Sequence, residues 1–416
     1  MYQNTPTAAK TILDQLNNGK QLGKISSKIS QEEFMIGMRK WKEVTSTSPS
    51  GRHLGHYKVW GFPETRDPAT VPQPSTRKNP LGYRIFSIIH IIATAALQAG
   101  ITLERWSNVT TSMIEKDPGR PHINRLRVIH LYEADYNLIL KILWARRLTW
   151  NAHSNNALHP SQAGSCPGRR AIDTVTYKEQ KYLYSRLTRT SLATMDNDAK
   201  SCYDRILCNL AMITSQYHGM PQNACAMQAA TLKNTKFYLR TALGISEKSY
   251  QHTEKEPIYG SGQGSSSSPA LWLLISSILM KCFDKITPGM VMQPIERNSP
   301  LLKSSIDGFV DDTSLFINHN HEHLRPQQLL ESLQSITQGW SDLLYASGGK
   351  LELSKCFYYA IQWEFNTDGD PIPTQLSSSG NTNSCVHIKD PDNDNPIEIL
   401  ARDPTQAHKH LEFIKH

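Results

Sequence analysis

The chain has 416 residues, with 45 Lys+Arg against 37 Asp+Glu and a formal net charge of +8. That length allows a sizeable core in two or three lobes, and the modest basic excess suits a phosphate-backbone partner without requiring one. The seven cysteines form no CxxC pair, which excludes a disulfide scaffold or a cysteine zinc site and indicates reduced thiols.

The opening "MYQNTPTAAK" is polar and is no signal peptide, so an intracellular protein is expected, in nucleus or cytoplasm. Residues 1–48 read as exposed helix, with Phe34, Met38 and Trp41 along one face. The stretch 46–83, rich in Pro, Ser and Gly, reads as a long loop, and helices are expected over 84–106 and 131–150. Within the first of these, "FSIIHIIATAALQAGI" (86–101) is interrupted by Ser87, His90, Thr94 and Gln98; it reads as a buried helix, and no membrane partner is expected.

From residue 191 strands alternate with helices. "TSLATMDND" (190–198) is strand-like and "CAMQAATLKNTKFYLRTAL" (225–243) is helical. "SSIDGFVDDTSLFIN" (304–318) reads as a hairpin, "LLESLQSITQGWSDLLYAS" (329–347) as a helix and "KCFYYAIQW" (355–363) as a strand. The mixture indicates an α+β fold. "HNHEH" (319–323) reads as a solvated loop rather than a metal site, and 366–395 as a polar, loop-rich insertion.

Two adjacent aspartates, Asp311 and Asp312, interrupt an apolar run in "GFVDDTSLF". The bland reading is a type I′ hairpin turn. A chemical reading needs a further carboxylate, and "SLATMDNDAKSCYDRI" offers Asp198 where a strand-like segment meets a helical one, in the pattern D-x4-Y-D with Tyr203 and Asp204. Three carboxylates brought together repel one another unless divalent cations lie between them, and hard oxygen donors suit Mg²⁺. Between them, "YGSGQGSSSSPALW" fits G-x-x-Q-G-x-x-x-S-P at Gly260, Gln263, Gly264, Ser268 and Pro269, a glycine-lined turn running into an apolar helix. Upstream, Lys116 and Arg127 flank a Pro/Gly turn, where a point charge and a planar fork could clamp a triphosphate.

The order basic hairpin, "QAGSCPGRRAID", D-x4-Y-D, GxxQGxxxSP, FVDD, "LELSKC" resembles the reverse transcriptases of non-LTR (LINE-type) retrotransposons over residues 45 to 365. The resemblance implies a right-hand polymerase with fingers and palm, the palm a ferredoxin-like antiparallel sheet packed on helices, and a thumb largely missing. It implies a helical extension and loop at 1–80, fingers at 81–190 with parts of 207–258, palm at 191–365 and the start of a primer-grip region at 366–416. The implied reaction is RNA-directed DNA synthesis with two Mg²⁺ ions, or Mn²⁺, on an RNA template, a DNA primer and dNTPs.

By the same resemblance, Asp198, Asp311 and Asp312 would bind the metals, and Tyr203 would be the steric gate beneath the sugar. Gln263 and Gly264 would lie near the nucleotide, Lys116 and Arg127 on the triphosphate, and Lys355 near the leaving pyrophosphate. Arg169, Ser268 and Pro269 would contact template and primer. Thumb and endonuclease modules would be encoded elsewhere in the element. Cys166 departs from the family's arginine before the proline, which raises the alternative of a catalytically inactive, nucleic-acid-binding relic. A viral RNA-dependent RNA polymerase is disfavoured, because those enzymes place an acid where Tyr203 stands and GDD at the hairpin.

Overall fold

The computed structural model describes residues 6–42, 48–61, 80–120, 122–252, 258–294, 299–319, 326–375, 385–393 and 395–405. The chain divides into two compact units, each assembled from discontinuous segments. One comprises residues 1–20, 156–205 and 272–416, the other 21–155 and 206–271. Residues 156–190, expected among the fingers, thus group with the segment that carries the acidic hairpin.

In chain order, α1 (Thr7–Asn18) is followed by α2 (Gln31–Arg39), α3 (Leu54–Gly61) and α4 (Pro80–Ala99). Strands β1 (Asn108–Glu115) and β2 (Leu126–Leu131) precede α5 (Ala134–Leu140), a π-helical stretch at Lys141–Leu148 and α6 (Thr149–Ser154). Next come α7 (Ala171–Thr188), β3 (Ser191–Asp198), α8 (Cys202–Arg205), α9 (Cys208–Tyr217) and α10 (Gln222–Lys233). The strands β4 (Lys236–Thr241), β5 (Gly244–Ile245) and β6 (Tyr250–Gln251) lead to α11 (Ser268–Ile286). Then follow β7 (Met290–Met292), β8 (Leu302–Ser304), β9 (Ile306–Phe309), β10 (Asp312–His319) and α12 (Pro326–Ala346). The last are β11 (Phe357–Phe365), β12 (Pro371–Gln375), β13 (Val386–Lys389) and β14 (Pro396–Ala401).

The unit holding β3 is built on a seven-stranded sheet in the order β13-β14-β11-β3-β10-β9, with β12 beside β11. β3 is its middle: antiparallel to β10 on one side and to β11 on the other, and buried at six of its eight positions. Helices α7 and α12 pack on the sheet. α7 is set by local chemistry at both ends. The Asp173 carboxylate accepts from the Arg170 N–H at 2.7 Å, closing the first turn, and Arg189 ends the helix in the left-handed region at φ 56°.

The other unit contains a five-stranded sheet, β2-β1-β4-β5 with β6 beside β4, and the helices α2 to α6, α9 and α10. Its buried acids are compensated. Arg105 donates to Glu133 at 2.9 Å and to Asp135 at 2.8 Å, Trp106 Nε1 donates to Asp135 at 3.1 Å, and Ser48 donates to Glu133 at 2.5 Å. A buried carboxylate without such donors would be strongly unfavourable.

Several expectations need correction. The helix expected over 225–243 stops at Lys233, and "KFYLRT" forms β4 instead; the consecutive aromatic and apolar side chains Phe237, Tyr238 and Leu239 suit a half-buried strand. The 46–83 loop contains α3, with 62–79 outside the described residues. The insertion 366–395 contributes β12 and β13, with 376–384 and 394 outside the described residues, as are 320–325 with His321 and His323. The helix read as buried is only partly so. Phe86, Ile89, Ala93 and Leu97 of α4 are buried, while Leu81, Ile88, Ile91 and Ile92 are exposed. Among the described residues it is the one helix long and apolar enough, by length and composition, to cross a bilayer. It packs on α3 and α10.

Candidate active site

The tip of the β9–β10 hairpin meets the end of β3. In the antiparallel register Asp312 stands directly opposite Asp198, Thr313 opposite Asn197 and Ser314 opposite Asp196. Asp311 occupies the turn, and its carbonyl accepts from the Ala199 N–H at 3.1 Å. The backbone itself therefore places the acidic turn beside the third carboxylate, although more than a hundred residues separate them. Glu352 N–H donates to the Asp198 carbonyl at 2.9 Å, which brings up the segment carrying Lys355. The Lys355 ammonium is ion-paired with the Asp198 carboxylate.

The turn is not type I′, which needs left-handed backbone at both central residues. Here Val310 alone is left-handed, at φ 59°. That is an uncommon conformation for a β-branched residue.

Burial first, and like charge second, shape the protonation of these groups. Burial, then the charges of Asp311 and Asp198, pushes the Asp312 carboxyl up to about 7. Burial and Asp198 likewise raise Asp311. The hydrogen bond to Asp198 raises Lys355, which keeps its proton. Tyr203 lies on α8, two residues after the left-handed Ser201 (φ 48°). Its phenol is held up by burial, then by Cys202 and Asp311, so its oxygen lies within electrostatic reach of the acidic turn.

Among the described residues no three His, Cys, Asp or Glu side chains stand as a preformed metal cluster. The acids are adjacent but not closed around a common centre, and Lys355 supplies positive charge to one of them. The donor set nevertheless fits a hard divalent cation. All its donors are carboxylate oxygens, and burial, then the neighbouring carboxylates, makes Asp311 and Asp312 hold protons more tightly than ordinary aspartates.

Beneath the acids lies a buried ionic layer that the reading of motifs missed. Lys178 of α7 donates to both oxygens of Asp196 at 2.7 Å, and Ser314 donates to Asp196 at 2.6 Å. One turn on, buried Lys181 is ion-paired with buried Asp307 of β9 and lies 4.3 Å from the Phe316 ring centroid. These pairs tie α7 to the three strands whose ends carry the acids. The sequence signal is slight: two lysines three apart on one helical face.

Arg169 belongs to the same unit, where its guanidinium donates to the Pro160 carbonyl. Cys166 is buried, and burial raises its thiol.

Six further candidates lie in the other unit. Lys116 and Arg127 are exposed on the β1–β2 hairpin, where Arg127 pairs with Ile114 and Lys116 N–H donates to the Arg125 carbonyl at 3.0 Å. The Gln263 carbonyl accepts from the His130 N–H at 2.6 Å, and the Gly264 carbonyl accepts from Asn137 at 3.0 Å. Gly264 has φ 116°, and any side chain there would strike the His130 carbonyl. The glycine thus admits the unit's own backbone. Ser268 is buried and turns its hydroxyl onto the Ser261 and Gly262 carbonyls at 3.0 and 2.8 Å, fastening the turn ahead of Pro269. His130, packed 5.0 Å from Phe237 by ring centroids, is lowered to about 4 by burial and then by His252.

Residues 114–374 match the family model described as reverse transcriptase (RNA-dependent DNA polymerase). No curated protein matches the chain significantly.

Proposed function

The chain belongs to the reverse transcriptase (RNA-dependent DNA polymerase) family, and on that premise we propose that it is the polymerase domain of a non-LTR retrotransposon, extending a DNA primer with dNTPs on an RNA template. The family implies template, primer and dNTP binding in general, and the order of motifs supports the narrower reading. One observation carries it furthest: Asp312 faces Asp198 across the β3–β10 ladder with Asp311 in the adjoining turn.

In this reading Asp198 and Asp311, with Asp312, would hold two Mg²⁺ ions, for which Mn²⁺ would substitute. When bound, such ions supply Lewis-acid stabilisation of the attacking and leaving oxygens. The chain's own residues do the rest. The strand end and turn fix the carboxylates on rigid backbone, and the α7 lysines hold those strands in place. Tyr203 would lie under the sugar and exclude a 2′-hydroxyl. Lys355 keeps a proton at Nζ that the leaving pyrophosphate would accept or lean on. In the other unit, Lys116 and Arg127 would take the triphosphate, and Gln263 and Gly264 the nucleotide. Arg169, Ser268 and Pro269 would contact template and primer.

The test is primer extension by the full chain on a homopolymeric RNA template with a DNA primer, dNTPs and Mg²⁺. Template-dependent incorporation is expected, lost in Asp198→Ala and in Asp311→Ala alike. Full activity in either variant would remove the assignment of the metal ligands.

A further inference from the structure

Val310 presents a problem of its own. A β-branched residue in the left-handed region persists only where its surroundings over-determine it. Two elements of the same unit do so. From one side, a single stripe of α11 reaches the hairpin. Trp272 Nε1 donates to the Val310 carbonyl at 2.6 Å, Ser276 accepts from buried Gln162 at 2.9 Å, and Met280 fills the space above Gly308. These residues are four apart and so share one helical face.

From the other side, residues 161–164 run along the free edge of β9. Ala163 N–H donates to the Gly308 carbonyl at 2.9 Å, and Gly308 N–H donates to the Ser161 carbonyl at 3.0 Å. This brings Gly164 against the turn, where any β-carbon would collide with the Val310 amide nitrogen and lie 2.8 Å from its Cα.

The position of the tryptophan contact is specific. The Val310 carbonyl belongs to the peptide plane that enters Asp311. The next plane, leaving Asp311, is held through its carbonyl by the Ala199 N–H beside Asp198. Both planes that flank Asp311 are therefore pinned, one by an indole N–H and one by the neighbouring strand.

We propose that Trp272, backed by Gly164, is a positioning residue that locks the Val310 turn and so aims the Asp311 carboxylate. The inference rests on the reading of Asp311 as a polymerase ligand, and its test separates the two.

Trp272→Phe keeps the ring and removes only the N–H. In the metal-free full chain, amide hydrogen exchange over residues 306–316 should quicken, while exchange in α7 and α12 and the thermal midpoint stay as in wild type. In primer extension kcat should fall by about tenfold to a hundredfold with the KM for dNTP unchanged, the signature of a misaimed group rather than lost binding. Gly164→Ala, acting from the opposite side, should do the same and gives a second arm should the tryptophan variant fold poorly. Unchanged exchange over 306–316 in both variants would overturn the inference, as would faster exchange with wild-type kcat. Faster exchange in a chain whose wild type incorporates no dNTP would uphold the brace and sink the polymerase reading instead.

Discussion

Asp311 and Asp312 bind protons more tightly in the folded chain than in the unfolded one, because burial and neighbouring carboxylates disfavour their charge. The folded state holds more protons than the unfolded state between the ordinary aspartate range and about 7, so stability is greatest at the acidic end of that window and falls as pH rises through it. The thermal midpoint of the chain in EDTA should therefore drop between about pH 5 and about pH 8, and Mg²⁺ should restore it far more at the upper value. Asp312→Asn should flatten the profile. A wild-type midpoint that is the same at both values would contradict the electrostatic account. At this scale the meeting of Asp198 with Asp311 and Asp312 was expected from their motifs. Trp272, Gly164, Lys178 and Lys181 were not, because each acts on a partner far away in sequence and carries no local signature.

Among the elements, the outermost strand of the large sheet shows how the fold guards an open edge. β13 pairs with β14 on one side only. On the other, its His387 and Lys389 N–H groups donate to the side-chain oxygens of Gln334 and Gln338 of α12, both at 2.9 Å. The spacing matches: four helical residues rise about 6 Å, and two strand residues about 6.6 Å. An unpaired edge would invite association with other chains. Replacing both glutamines with alanine should abolish exchange protection of the His387 and Lys389 amides at a cost of about 1 kcal/mol per bond, leaving β3 and β10 protected. Protection that survives the double substitution would mean that the edge is held by something other than these amides. This strand lay inside a stretch whose polar composition reads as loop, since glutamines on a remote helix, rather than its own side chains, satisfy its backbone. β4 was misread as helix for a related reason: a helix and a strand adjoin at Asn234 with only a short polar break between them.

Across the whole molecule, the chain crosses four times between two units, yet Asp198, Asp311, Asp312 and Lys355 all fall in one. The α+β class and the order of the motifs were readable because each motif is local. The division into units was not, since it depends on which distant segments pack together. The central claim is that the end of β3 and the β9–β10 turn act as one divalent-cation site. Titration of the full chain with Mn²⁺ in the absence of nucleic acid, followed by the loss of the free-ion paramagnetic signal, tests it without recourse to activity. The account requires saturable binding in the wild type that weakens in Asp198→Ala and in Asp311→Ala alike; an Asp198→Ala chain that binds Mn²⁺ as tightly as wild type would contradict it.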